Sequence, residues 1–190
     1  MFSGCSELTG NIPANLLVNC TKITNLEKIF YGCSKLTGSI PENLFENCTE
    51  VTSFCGVFAG CSELTGEIPA GLFRNCTKVT KFGDLFYGGG VFTGCKGLTG
   101  SIPEDLFANC SKVTTFYCTF SGCSGLTGIS ENLFENCHNV TDFQSVFAGC
   151  TELTGTAPDL WNRTNVKESS GCFWGCKKLT NYADIPSSWK

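Results

Sequence analysis

No run of the 190 residues stays apolar for the roughly 18 positions that a membrane-crossing helix needs, so no such helix is expected. Residues 1–15 show no charged segment followed by an apolar one, so no signal peptide is visible there. Charge is scarce: 16% of residues are Asp, Glu, Lys or Arg, against about a quarter in ordinary domains. The net charge is −4 and no basic run occurs, which argues against nucleic acid and against an anionic membrane surface as partners. Histidine occurs once, at His138, so no Ser–His–Asp set can be built without it and no Cys–His pair is supported. Cys-x-x-Cys is absent. The close pair Cys172 and Cys176 lacks companion ligands, so no metal and no cofactor is expected.

What the chain has instead is one sentence repeated. Its clearest copy runs from Phe30 to Phe54. A Phe-x-Gly-Cys-x-x-Leu-Thr line recurs at Cys5, Cys33, Cys61, Cys95, Cys123, Cys150 and Cys176, at intervals of 28, 28, 34, 28, 27 and 26 residues. A second line, Leu-Phe-x-Asn-Cys-x-x-Val-Thr, interleaves at Cys20, Cys48, Cys76, Cys110 and Cys137, at 28, 28, 34 and 27. Both lines carry the same 34, so one insertion lies between Cys76 and Cys95. The glycine-rich piece Gly88–Gly94, with Phe86-Tyr87 before it and Val91-Phe92 inside it, is the expected carrier, read as a tolerated loop. A fixed period of this size is the signature of a solenoid or propeller.

Within a unit the apolar spacing changes. Leu64-Thr65-Gly66-Glu67-Ile68 alternates as a short strand does, and Pro69 ends it. Phe45, Cys48 and Val51 step by three, as tight helical turns do. Each coil of about 28 residues is therefore expected to hold two short strands and two helical turns, with its Phe, Leu, Ile, Val and Cys inside, and to share its core with the next coil. The unit Val51-Thr52, Phe54, Phe58, Cys61, Leu64-Thr65 resembles the BspA-like leucine-rich repeats of surface proteins. Leu-Thr-Gly-Ser-Ile-Pro at residues 36–41 also resembles the second strand of plant-type leucine-rich repeats. The resemblance implies a right-handed leucine-rich-repeat solenoid with short parallel strands. It also implies a cell-surface or extracellular interaction module, adhesive in role. One domain is expected over 1–190, with the degenerate stretch 157–190, rich in Trp, as a C-terminal cap.

The fifteen cysteines are expected to be mostly buried and reduced, since twelve fall on the two repeat lines where Cys acts as a small hydrophobe. Asn19, Asn47, Asn75, Asn109 and Asn136 are expected to point inward and form a backbone-bonding ladder. Their Asn-x-Ser/Thr spelling, where present, follows from that role and not from glycosylation. His138 sits where other units have Thr or Ser after Cys, a turn position, and reads as a solvated substituent. The carboxylates fall mainly at variable outward positions, without the shaped cleft that paired acids need. No catalytic residue is assigned, and the chain reads as a non-enzyme.

Positions that vary between units are free to carry specificity. They surround the Phe-x-x-x-Phe segment: Glu27, Lys28, Ser53, Lys81, Asp84, Thr115, Tyr117, Asp142 and Gln144. Stacked coils would align them into one strip, the candidate site for a protein or glycan on a host or neighbouring cell. The alternative is a structural spacer or fibre segment of a larger surface or phage assembly. A remoter one is an ice-binding solenoid, prompted by the row Thr9, Thr37, Thr65, Thr99, Thr127 and Thr154. The N-terminal end, where Phe2, Cys5, Leu8 and Ile12 would lack neighbours on one side, is expected to be covered by further chain or another subunit.

Overall fold

The computed structural model describes residues 1–86 and 88–190; Tyr87, just before the expected insertion, lies outside the described residues. Two parallel ladders run the length of the molecule. The first is built of short strands in the Leu-Thr-Gly segments. β1 (Gly10–Asn11) pairs with β2 (Leu36–Thr37), and β3 (Gly66–Glu67) pairs in turn with the fourth unit's Leu98–Ser101, then Leu126–Ile129, then Thr154–Gly155. The bond from Thr65 N to Gly38 O, 2.9 Å, joins the two groups. A second ladder is a chain of single parallel bridges, Asn25 to Ser53 to Lys81 to Thr115 to Asp142 to Glu168. Its steps of 28, 28, 34, 27 and 26 residues are the intervals of the cysteine lines. The chain is a leucine-rich-repeat solenoid. Between ladders it turns by i to i+3 bonds, as from Cys48 N to Phe45 O (3.0 Å) and Val51 N to Cys48 O (3.3 Å). That is the step of three seen in the apolar residues.

Phenylalanine stacks explain why the period is held so strictly. Phe2, Phe30, Phe58, Phe92, Phe120, Phe147 and Phe173 form one column, with neighbouring centroids 5.4–5.9 Å apart and nearly parallel rings. Phe45, Phe73, Phe107 and Phe134 form a second; Phe54, Phe82, Phe116 and Phe143 form a third. Leu17 and Leu26, both buried, stand at the heads of these two. The second and third columns meet edge to face, as Phe45 and Phe54 do at 4.8 Å and 60°. Such pairs contribute about 0.5–1.5 kcal/mol each beyond the apolar area they bury. At the C-terminal end Trp189 is buried against Phe173 and Phe143, with Trp161 beside it.

The first-line cysteines have a second task besides filling space. Except at Cys5, the thiol donates to the carbonyl of the column phenylalanine one coil earlier: Cys33 to Phe2, Cys61 to Phe30, Cys95 to Phe58, Cys123 to Phe92, Cys150 to Phe120 and Cys176 to Phe147, all at 3.0–3.1 Å. The donor requires a protonated thiol. Burial pushes Cys61 and Cys176 up to about 12, which keeps them so. The asparagine ladder forms on the outside and not inward. Asn47, Asn75 and Asn109 donate Nδ2 to the carbonyls of Val18, Glu46 and Arg74 one coil earlier, at 2.9–3.0 Å, from the solvent side. The polar amide reaches the coil edge while Cys, its neighbour, takes the core.

Candidate interaction strip and hairpin

The bridge ladder brings the variable positions into one strip, and its residues share a local device. A side-chain oxygen at the bridge position accepts a hydrogen bond from the backbone N–H two residues on. Asn25 accepts from Glu27 (2.7 Å), Ser53 from Cys55 (3.4 Å), Thr115 from Tyr117 (3.0 Å) and Asp142 from Gln144 (2.9 Å). This turn-forming bond is why the position varies only among Asn, Ser, Thr and Asp in these coils. The apparent freedom at Ser53, Thr115 and Asp142 is therefore a structural restriction. Ser53 is 6% exposed and donates to Glu27 Oε1 at 2.7 Å, so it belongs to the scaffold, not to an accessible site. Thr115 donates to Asp142 Oδ2 at 2.9 Å and is half-buried.

Glu27, Lys28, Tyr117 and Gln144 lie half-buried on the same strip. Lys28, Cys118 and Ser145 occupy a left-handed backbone position, φ 52–57°, that Gly56 and Gly171 fill in other coils. Lys28 lies with its ammonium 5.7 Å from the centre of the Tyr31 ring. At the bridge position Lys81, like Glu168 in the last coil, departs from this set. It reaches Asp84 Oδ2 at 2.8 Å, while Asp84 Oδ1 accepts from Phe86 N at 2.9 Å. Burial opposes ionisation of Asp84, but these two donors outweigh it and hold the carboxyl below its usual range.

That ion pair anchors the insertion, which is not a loose loop. Gly83–Asp84 and Gly89–Gly90 pair antiparallel, and Val91 N bonds Phe82 O at 2.8 Å to close the base. Val91 and Phe92 are the coil's own residues, equivalent to Val57 and Phe58, since Phe58 N bonds Val91 O and the two rings stack. The six extra residues thus lie between Phe82 and Val91, earlier than the glycine run suggested. Glycine is required at both arms: a Cβ on Gly83 would lie 1.7 Å from Tyr117 O, and one on Gly90 2.3 Å from Thr119 N. The returning arm leans over the second coil, where Gly88 packs against Lys28 and Tyr31. Beside this arm Cys55, Gly56 and Val57 are buried. At its tip Leu85 is 64% and Phe86 84% exposed. No repeat pattern marks these two side chains; the signal that could have found them is Val91-Phe92-Thr93-Gly94-Cys95, which repeats Val57-Phe58-Ala59-Gly60-Cys61 and isolates what precedes it.

His138 is exposed, and among the described residues no group of three His, Cys, Asp or Glu is placed to hold a metal ion. The threonine row stands exposed along the first ladder, with Thr37 half-buried. No helix of the described residues is long and apolar enough to cross a membrane.

The ladders, columns and strip define a leucine-rich-repeat protein. Within that class the chain belongs to the family described as Mycoplasma protein of unknown function, DUF285, which matches residues 1–98 and again 91–190. Similar solved structures include a TDR receptor, at 20% identity and TM-score 0.48 over 84% of this chain and 28% of that one. Another is the Arabidopsis receptor kinase HAESA in complex with the peptide hormone IDA and the co-receptor SERK1, at 16% and 0.43 over 86% and 27%. A leucine-rich repeat protein from Bacteroides ovatus is similar at 17% and 0.21 over 99% and 84%. The chain spans under a third of the length of the two plant receptors. No curated protein matches the sequence.

Proposed function

We propose that the chain is a non-enzymatic interaction module that binds a protein partner through the strip and the hairpin rising from it. The observation that carries this reading is the exposed Leu85 and Phe86 on a hairpin fixed by the Lys81–Asp84 pair and by fitted glycines. Exposed aromatic anchors on a rigid base bind with little loss of conformational entropy. Tyr31, 39% exposed beneath the returning arm, widens the apolar patch. Glu27 and Lys28 on one side, with Tyr117, Asp142 and Gln144 on the other, supply a polar rim. The resemblance to BspA-like surface proteins supports a surface location and an adhesive role.

Residues 1–190 are taken as one domain, with 157–190 as its C-terminal cap; the burial of Trp189 supports that reading. The N-terminal face is taken as covered by further chain or another subunit. Phe2, Leu8, Leu16 and Ile12 line an open apolar hollow of about 240 Å³ there, and Cys5 is exposed where its counterparts donate to a preceding coil.

The test is selection of binders from surface extracts of candidate host cells, followed by Phe86→Ser and Tyr117→Ala variants. Binding is expected to fall at least tenfold with Phe86→Ser at unchanged thermal midpoint, since exposed substitutions are close to neutral for stability. Unchanged affinity in both variants would move the site off the strip.

A further inference from the structure

The last coil carries a second surface, formed by other positions of the repeat. In the Phe-x-Gly-Cys line the x residue is small in most coils: Ser3, Ala59, Thr93, Ser121 and Ala148, of which Ala59 is buried, Ser3 exposed and the others half-buried. In the last coil it is Trp174, 64% exposed. Its backbone is fixed, because Trp174 O accepts from Gly149 N at 2.8 Å and Trp174 N donates to Gly171 O at 3.1 Å. The core does not need this indole: Trp189 and Trp161 do the closing. Trp174 instead forms a wall of a surface hollow of about 620 Å³ with Thr151, Glu152, Lys177, Lys178, Tyr182 and Lys190.

The charges in the hollow are uneven. Lys178 is paired with Glu152 at 2.5 Å. Lys190 lies 4.7 Å from the centre of the Tyr182 ring and donates to Ala183 O at 3.3 Å. Two ammonium groups, on Lys177 and Lys190, are thus left without a carboxylate partner among the described residues, in a protein whose net charge is −4. An open aromatic plate suits the apolar C–H face of a sugar ring. Flanking lysines suit a carboxylate or sulfate, and Glu152 and Thr151 offer oxygens to hydroxyl groups. Three lysines line the hollow, and the sequence holds no basic run that would follow a nucleic-acid strand away from it. The geometry points to an acidic saccharide, a sugar bearing a carboxylate or sulfate, as the ligand of this hollow, stacked on Trp174 and held by Lys177 and Lys190. This site is independent of the strip and of the hairpin.

Calorimetric titration of the intact chain with 3′-sialyllactose and with a heparin-derived disaccharide tests it, with neutral lactose and a poly-glutamate peptide as controls. At least one acidic sugar is expected to bind saturably and to blue-shift the Trp174 emission, with binding weakened by added salt. Affinity is expected to fall at least tenfold in Trp174→Ala and in Lys177→Ala, each with an unchanged thermal midpoint. Failure of both acidic sugars to bind, equal binding of lactose, binding of poly-glutamate alone, or full affinity in Trp174→Ala would each overturn the assignment. The strip reading, tested through Phe86, stands or falls separately.

Discussion

A cysteine in this solenoid is chosen for being small, apolar and a donor at once. Alanine would fill less space and leave the phenylalanine carbonyl with one bond fewer; serine would bring a stronger polar group into a position with one acceptor. The choice has a pH consequence. Thirteen of the thiols have values raised above the ordinary 9.0, chiefly by burial. A group raised in the folded state contributes stability that is complete below its unfolded value and is lost as pH rises through the folded one. Here the window opens near pH 9 and extends to about 12 for Cys61, Cys76 and Cys176. The unfolded chain ionises these thiols first, so alkali favours it, at up to about 1.4 kcal/mol per pH unit for each fully ionised thiol. Under reductant, circular dichroism is expected to show cooperative unfolding beginning just above pH 9. A native signal at pH 11 would mean that the thiols do not carry this linkage. In the native state near neutral pH, a maleimide should label Cys5 readily and the buried first-line cysteines only after denaturation.

The hairpin departs from the coil, and its glycines decide whether it is a built feature. Gly83→Ala sets a Cβ into Tyr117 O, a backbone atom that cannot swing away, and Gly90→Ala does the same to Thr119. Overpacking of this kind costs about 1–3 kcal/mol. A lowered thermal midpoint in either variant, by roughly 2–4 °C per kcal/mol, is the expected outcome; wild-type midpoints would show that the hairpin lifts freely off the fifth coil. This element also marks where the sequence stops being legible. The period, the two ladders and the inward phenylalanines were readable, because each coil repeats the same contacts and the repetition multiplies a weak local pattern. The hairpin occurs once, so nothing multiplies it, and the glycine run drew the boundary too late. The strip was readable as a place but not in its logic. Variation among Asn25, Ser53, Thr115 and Asp142 looked like free surface, whereas each supplies the same backbone-accepting oxygen. The inward asparagines failed for a similar reason, since a hydrogen bond between coils can be made equally well from outside.

At the scale of the whole molecule the ends differ. A solenoid's stability is a sum of coil terms and nearest-neighbour interfaces, so the end with the poorer interface frays first. At the C-terminal end Phe173 N bonds Trp189 O at 2.8 Å and Trp189 lies across the phenylalanine columns. At the other end Phe2, Leu8, Leu16, Cys20 and Ile23 remain partly exposed and meet the core from one side only. Phe2 N and Gly4 N are bonded forward to Ile29 O and Tyr31 O, at 2.8 and 2.7 Å. Those bonds tie the first coil to the second; among the described residues no equivalent interface holds its outer face. Local opening should therefore begin there. Amide hydrogen exchange on the isolated chain is expected to rank protection from lowest at Phe2 and Gly4, through Lys28 and Phe30, to highest at Phe116, Phe120 and Gly122 in the centre. Phe143 and Phe147, bonded to Glu168 O and Cys172 O, should stay close to the central value because the tryptophans close that end. Equal protection at both ends would show that the first coil is held as firmly as the last, and that its open hollow needs no cover. If a partner subunit supplies the cover, adding it should raise protection at Phe2 and Gly4 and leave the central amides unchanged.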